Sequence, residues 1–237
     1  MILKNDIGLI GDFIGTIPVM IELSKNTSLE VIIHPEIEQL FDLIPKRYNI
    51  KKSNNSHYDK AFDLISAFRF ADKHNLHMIQ AHYHIMGLEI PKNIPRPELE
   101  FSLKYSNDKG YYIIAPFSRS LPDNQKWPKE MWNKLIASMP NERFIIFGNS
   151  KYDDPEFIKQ PNCSVCFDNK FETVCSIMKQ SKGLISVVTG ISHLAYALSV
   201  KNYLFVNQGM WGKNPEAIYM DKNIHDITVD EVYNLLK

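Results

Sequence analysis

Residues 183–198 read Gly-Leu-Ile-Ser-Val-Val-Thr-Gly-Ile-Ser-His-Leu-Ala-Tyr-Ala-Leu, and this stretch decides the class of fold. The apolar run that ends at Val188 has the length and the β-branched content of a buried strand. Thr189 and Gly190 interrupt that run, and apolar residues from Ile191 onward recur at helical spacing. A buried strand that passes through a glycine turn directly into a helix is typical of parallel α/β proteins, so we expect an α/β fold.

The same alternation continues on both sides of this stretch in the second half of the chain. The sequence predicts strands at residues 111–115, 143–147 and 202–206, and helices at residues 128–139 and 171–180. Helices that alternate with strands cover the faces of a parallel sheet. We therefore predict an open parallel sheet in this half.

The first hundred residues show a weaker form of the pattern. A glycine-containing turn at residues 8–12 precedes helical spacing, and a β-branched run at 29–34 predicts a strand. A short apolar strand at 61–65 is expected to lead into one long amphipathic helix at about 68–87.

Residues 91–110 contain three prolines and no clean periodicity, which is typical of a connection between domains. We therefore predict two Rossmann-like lobes, at residues 1–105 and 106–237, that face each other across a cleft. Open parallel sheets bind ligands at the carboxyl ends of their strands, so the loops after strands are the candidate sites.

The composition excludes several classes of partner. Lysine plus arginine and aspartate plus glutamate number 27 each, so no overall positive field would hold a nucleic acid. No apolar run approaches the ~20 residues that cross a bilayer, and residues 1–7 lack the basic start of a signal peptide. We expect a cytoplasmic protein with no nucleic-acid partner and at most peripheral membrane contact.

The cysteine and histidine patterns do not favour a metal or redox site. Cys163 and Cys166 lie in a run with strand alternation, whereas a redox pair usually opens a helix. His74 and His77 share a helical face, but no acidic or cysteine partner lies at ligand spacing, which favours an exposed helix surface. We expect no cofactor and no bound metal.

The turn at residues 189–193 is the first candidate binding site. The start of a helix has backbone N–H groups without intrahelical acceptors, and the helix dipole adds partial positive charge, so such a turn suits a pyrophosphate. The candidate contacts are Thr189, Gly190, Ile191, Ser192 and His193. The alternative is that Thr189 and Ser192 only cap the helix and that Gly190 eases the turn.

The loop at residues 116–128 is the second candidate, because it also follows a strand and precedes a helix. Its hydroxyls and cations belong to Ser118, Arg119, Ser120 and Lys126. Lysine and arginine beside hydroxyl groups suit an anionic leaving group. The alternative is a basic loop that is simply exposed to solvent.

The third candidate is Gly11-Asp12-Phe-Ile-Gly15-Thr16-Ile-Pro18, which follows the first strand of the other lobe. A carboxylate across a cleft from a phosphate site can take the proton of an attacking hydroxyl, so Asp12 is the candidate general base. The alternative is that Asp12 is only the N-cap of the helix that follows.

These three segments, in this order, resemble those of glycosyltransferase family 9, the heptosyltransferases that move a heptose from an ADP-sugar onto lipopolysaccharide core. The early Gly-Asp-x-x-x-Thr-x-Pro pattern of the family is matched by Gly11, Asp12, Thr16 and Pro18. Its middle loop is matched by Ser118, Arg119, Lys126 and Trp127-Pro128. Its Thr-Gly-x-Ser-His turn is matched by Thr189, Gly190, Ser192 and His193.

The resemblance implies a GT-B architecture and an inverting, metal-independent glycosyl transfer, as in lipopolysaccharide biosynthesis. It assigns Asp12 as the base, with Gly11 and Thr16 as nearby substrate contacts. The loop at 116–128 would hold the donor phosphates, and the turn at 189–193 would bind the pyrophosphate and sugar. The partners would be a nucleotide-diphosphate sugar, ADP-linked, and a glycan or lipid-linked acceptor.

The chain departs from the family pattern at two points. Val188 stands where the family has an acidic residue before Thr-Gly, and the chain is short, with a reduced N-terminal lobe. These departures leave two alternatives open. One is a non-catalytic module that binds a nucleotide-sugar, and the other is a different GT-B-like nucleotide-sugar enzyme, such as an epimerase or a hydrolase.

Overall fold

A computed structural model of the protein describes residues 1–103, 110–167, 170–206 and 215–237. The chain divides into two compact units, Met1–Ser102 and Leu103–Lys237. Each unit is built on one sheet whose described strand pairs are parallel, which confirms the α/β class. The junction predicted at residue 105 lies outside the described residues.

The N-terminal unit has a four-stranded sheet in the order β3-β2-β1-β4. The strands are β1 (Ile2–Asn5), β2 (Leu29–Ile33), β3 (Ile50–Lys52) and β4 (Lys60–Ala61). The helices are α1 (Ile10–Ser24), α2 (Glu38–Phe41), α3 (Leu64–His74) and α4 (Met78–Ile85).

Helix α1 begins earlier than the sequence predicts, because Leu9 is its N-cap and Ile10 its first residue. Its packed face includes Phe13 and Ile17, which are both fully buried. At 15 residues it is the longest of the described helices. Within the described ranges, none has the length together with the apolar character that a bilayer crossing requires.

The prediction of a single helix at 68–87 is wrong, because two helices, α3 and α4, occupy this stretch. Asn75 ends α3 in the left-handed conformation, with φ 51° and ψ 46°. His77 then caps α4: its Nδ1 accepts the Ile79 N–H at 3.2 Å, and the Gln80 Oε1 accepts the His77 N–H at 3.1 Å. The apolar spacing of the sequence continues through residues 68–87, so it does not reveal this break. The left-handed Asn75 ends the first helix, and the cap at His77 starts the second.

The C-terminal unit has a six-stranded sheet in the order β10-β9-β8-β5-β6-β7. The strands are β5 (Tyr111–Ala115), β6 (Arg143–Gly148), β7 (Cys163–Phe167), β8 (Gly183–Val187), β9 (Asn202–Val206) and β10 (Ile218–Asp221). The helices are α5 (Lys129–Ala137), α6 (Phe171–Lys179), α7 (Gly190–Ala197) and α8 (Val229–Leu236). The predicted elements of this half are present to within about two residues.

The core of this unit is centred on three aromatic rings. Trp127 packs edge-on against Trp132 and Phe205, with ring centroids 4.9 Å apart in both contacts. The Trp127 Nε1–H donates to the backbone oxygen of Ile227 at 2.9 Å. Burial and this bond fix the end of the loop that precedes α5, at the same edge of the sheet as the turn after β8.

Candidate functional site

Two of the segments that the sequence singled out lie next to each other in the C-terminal unit. Strand β5 pairs with β8, and Ala115 at the end of β5 lies opposite Ser186 near the end of β8. The Ser118 loop (residues 116–128) leaves β5, and the Thr189 turn (residues 188–193) leaves β8. Because parallel strands end at the same edge of a sheet, both segments start from one edge, where α/β proteins bind ligands.

The Thr189 turn is a compact helix start. The Ser192 hydroxyl donates to the Thr189 oxygen at 2.6 Å and accepts the Thr189 N–H at 3.3 Å. The Ser192 N–H also donates to the Thr189 oxygen, at 3.0 Å. In the described part of the chain, the N–H groups of Gly190 and Ile191 remain without an acceptor, as expected for a first helical turn. They can therefore receive an anion.

His193 contributes no positive charge to this turn near neutral pH. It is only partly exposed, and the loss of hydration lowers the pKa of its imidazole to about 4. A neutral imidazole can donate one hydrogen bond to a ligand. The positive character at this edge therefore comes from the helix start and from the cations of the Ser118 loop.

The first part of the Ser118 loop holds two hydroxyls close together. The Ser118 and Ser120 oxygens are 3.2 Å apart, with Ser118 nearly buried and Ser120 exposed. The guanidinium of Arg119 lies over the ring of Tyr152, 4.8 Å from the ring centroid. This cation–π contact orients the exposed guanidinium of Arg119 toward the ring of Tyr152.

Lys126 lies at the other end of the loop, next to the anchored Trp127. Its Nζ donates to the Asp123 carboxylate at 3.0 Å, and the Asp123 side chain is fully exposed. An ion pair with an exposed partner adds little stability, so little is lost when the ammonium turns to another anion. The backbone of Lys126 is thus held in place by the neighbouring Trp127, while its ammonium group is able to leave Asp123 and bind another anion.

Asp12 is the third residue of α1, in the N-terminal unit, and Gly11 precedes it in the same turn. Since Leu9 is the N-cap, the alternative that Asp12 is only the N-cap is wrong. Burial raises the pKa of the Asp12 carboxyl above its ordinary value of 3.8, although the side chain is still partly exposed. A carboxylate with a raised pKa is a stronger base, which suits it to accept a proton.

Thr16 is not accessible for the substrate contact that the resemblance implies for it. It is fully buried, and its hydroxyl accepts the Asn5 Nδ2–H at 2.8 Å while it donates to the Phe13 oxygen at 2.7 Å. The hydroxyl is therefore used to tie α1 to the end of β1. Asn5 was not among the candidate residues, although a polar residue at the end of a buried strand is a signal for such a contact.

The histidines of α3 and α4 have separate roles. His74 is exposed, whereas His82 is fully buried and packs edge-on against Phe62, 5.6 Å between ring centroids. Within the residues that the structure describes, neither ring nitrogen of His82 has a hydrogen-bond partner, and burial lowers the pKa of its imidazole to about 4. Among the described residues, no group of three or more potential ligands is arranged to hold a metal ion.

Comparison with solved structures gives several similar folds. E. coli ADP-heptose lipopolysaccharide heptosyltransferase II matches with a TM-score of 0.73 and 14% identity, over 99% of this chain and 98% of that one. A glycosyl transferase family 9 protein from Veillonella parvula matches with a TM-score of 0.73 and 12% identity, over 98% and 94% of the two chains. E. coli heptosyltransferase WaaC, solved with ADP, matches with a TM-score of 0.66 and 14% identity, over 99% and 96%.

These likenesses show the fold, which is the GT-B-like fold that the sequence predicted. Among curated proteins, none matches this chain in sequence. The model of the family described as glycosyltransferase family 9 (heptosyltransferase) matches residues 49–203, which is well over half of the chain. The protein therefore belongs to glycosyltransferase family 9.

Proposed function

We propose that the protein is an inverting glycosyltransferase that transfers a heptose or a similar sugar from an ADP-linked donor to a glycan acceptor. The observation that carries the proposal is the common edge of β5 and β8, from which the Ser118 loop and the Thr189 turn both start. Support for the nucleotide comes from E. coli WaaC, which was solved with ADP. The proposed cellular setting is the synthesis of a cell-surface glycan in the cytoplasm.

The diphosphate of the donor is proposed to bind at this edge. The N–H groups of Gly190 and Ile191 and the ammonium of Lys126 would donate to its oxygens, with Arg119 nearby. Charge-assisted hydrogen bonds of this kind strengthen as negative charge develops on the leaving group. These donors belong to the chain itself, so the proposed mechanism has no step that requires a metal ion.

Asp12 is proposed to act as the general base. It would take the proton of an acceptor hydroxyl as that oxygen forms a bond to the anomeric carbon. The bond from this carbon to the diphosphate oxygen breaks, and its electron pair leaves with ADP. Because this is one displacement from the opposite face, the configuration at the anomeric carbon inverts.

A second candidate is a module that binds a nucleotide-sugar without transfer. The observation that favours it is Val188, whose apolar side chain is packed partly against the core where a carboxylate would be expected at the donor. Binding of ADP-heptose by calorimetry, without any turnover in the presence of acceptor, would support the module over the enzyme.

Transfer from ADP-heptose to deacylated lipopolysaccharide core oligosaccharide, measured as ADP release, tests the proposal. The Asp12→Asn variant should lower kcat by about 10²- to 10⁴-fold, because it removes the base. The control is Asp6→Asn, which removes an exposed carboxylate that precedes α1 and pairs with Lys4 at 3.5 Å. Equal loss in both variants, or no loss in either, would contradict the assignment of Asp12.

A further inference from the structure

We propose that His34 binds the acceptor, by donating its Nε2–H to an oxygen of the acceptor glycan. The inference rests on the proposed function and deepens it, because it names an acceptor contact in the N-terminal unit. His34 was not among the residues that the sequence singled out.

His34 lies on the same edge of the sheet as the segment that carries Asp12. Strands β1 and β2 are paired so that Asn5 lies opposite Ile33, the last residues of the two strands. His34 follows Ile33 directly, and the turn into α1 follows Asn5. His34 and the turn that leads to Asp12 therefore start from neighbouring strand ends, and a parallel sheet binds its ligands at this edge.

The ring of His34 is packed closely against Gly8, in the turn between β1 and α1. A Cβ atom on Gly8 would lie 3.1 Å from both Nδ1 and Cε1 of the ring and 3.3 Å from Nε2. These separations are tighter than ordinary contacts between carbon and ring atoms. The absence of a side chain at Gly8 thus allows the ring to lie against the turn that leads to Asp12.

A backbone hydrogen bond decides which ring nitrogen carries the proton. The His34 Nδ1 accepts the Glu36 N–H at 3.2 Å, so its lone pair is in use. In the neutral imidazole the proton is then on Nε2, which makes this atom a donor. His34 is partly exposed, and its Nε2 has no hydrogen-bond partner in the described part of the chain.

The arrangement therefore has a fixed donor and a base on one edge of one sheet. A sugar acceptor has several hydroxyl groups, of which one must be deprotonated and the others can be used for orientation. His34 can hold one of these other oxygens while Asp12 acts on the attacking hydroxyl. A hydrogen-bond donor that is fixed in this way orients an acceptor oxygen for attack.

The His34→Asn variant tests this role. Asparagine is a good N-cap, so it can still accept the Glu36 N–H, but it lacks the donor at the position of Nε2. For transfer to deacylated lipopolysaccharide core oligosaccharide, KM of the oligosaccharide should rise about 3- to 10-fold with kcat little changed, as for the loss of one neutral hydrogen bond. Gly8→Ala should act in the same direction, because its Cβ displaces the ring. The control is His57→Asn, at an exposed position of the same unit.

Two further measurements separate the possible results. Calorimetry with ADP should give the same Kd for wild type and His34→Asn. In nitrogen-15 spectra of the histidine rings, the His34 signals should shift when the oligosaccharide is added. An unchanged KM in His34→Asn, or His34 signals that do not respond to the oligosaccharide while ADP still binds, would overturn the acceptor contact alone. A wild-type protein that binds no ADP and transfers no sugar would overturn the proposed function with it.

Discussion

His82 should make the stability of the protein sensitive to acid. Its imidazole is fully buried, and neither ring nitrogen has a hydrogen-bond partner in the ranges that the structure describes. Burial lowers its pKa in the folded protein from 6.5 to about 4. Between these two values the unfolded chain binds a proton that the folded protein does not. Stability is therefore complete above pH 6.5 and is lost as the pH falls toward 4.

The loss of stability can be calculated from the pKa values of His82 in the unfolded chain and in the folded protein. At about 1.36 kcal/mol for each pH unit, the full loss is about 3 kcal/mol, of which about 2 kcal/mol is lost between pH 6.5 and pH 5. Replacement by leucine removes the titrating group at similar volume. It also removes two buried polar atoms without partners, so His82→Leu should not be less stable at pH 7.

Urea unfolding of wild type and His82→Leu at pH 7 and at pH 5 measures the effect. The wild type should lose about 2 kcal/mol more than the variant on going to pH 5. His193 titrates in both proteins and cancels in the comparison. His57→Leu, at an exposed position of the same unit, is the control for the replacement of a histidine by leucine as such. The same dependence on pH in His82→Leu as in wild type would refute the reasoning.

The other predictions concern packing at two glycines and the role of Asp12 as the general base. A Cβ on Gly148 would lie 2.4 Å from the Phe167 ring, so Gly148→Ala should lower the free energy of unfolding by about 1–3 kcal/mol, measured by urea titration. Gly15→Ala is the comparison, because a Cβ on Gly15 would have its nearest contact 3.9 Å away, inside helix α1. This variant should raise the free energy of unfolding by about 0.5–1 kcal/mol. As the pH is lowered, kcat/KM should fall when Asp12 becomes protonated. Because burial raises the pKa of Asp12, the midpoint of this fall should lie above pH 3.8. A midpoint at or below pH 3.8 would contradict the role of Asp12 as the base.

The sequence predicted the C-terminal unit better than the N-terminal unit. Its strands are long apolar runs between helices, and the start of α7 is marked locally by Thr189 and Gly190, so neighbouring residues are sufficient to find it. Strand β10 and helix α8 were missed. They follow the predicted strand β9, and no motif drew attention to them.

The N-terminal unit depends more on contacts between residues distant in sequence. Strands β3 and β4 have three and two residues, too few for a clear period. The buried bond from Asn5 to Thr16 and the contact of His34 with Gly8 each join separate elements, so no pattern within one segment reveals them. Thr16 was assigned to the substrate by its place in the family motif, which does not reveal its buried bond with Asn5.

The central proposal is that the Ser118 loop and the Thr189 turn hold a diphosphate, and calorimetry with ADP tests it most directly. Wild type should bind ADP, and Lys126→Ala should weaken binding by about 10- to 100-fold, as for the loss of a hydrogen bond to a charged group. Lys129→Ala, three residues away, removes a cation that pairs with Asp154 at 3.4 Å and should leave the Kd unchanged. No binding of ADP by wild type, or equal Kd values for wild type and Lys126→Ala, would contradict the proposal.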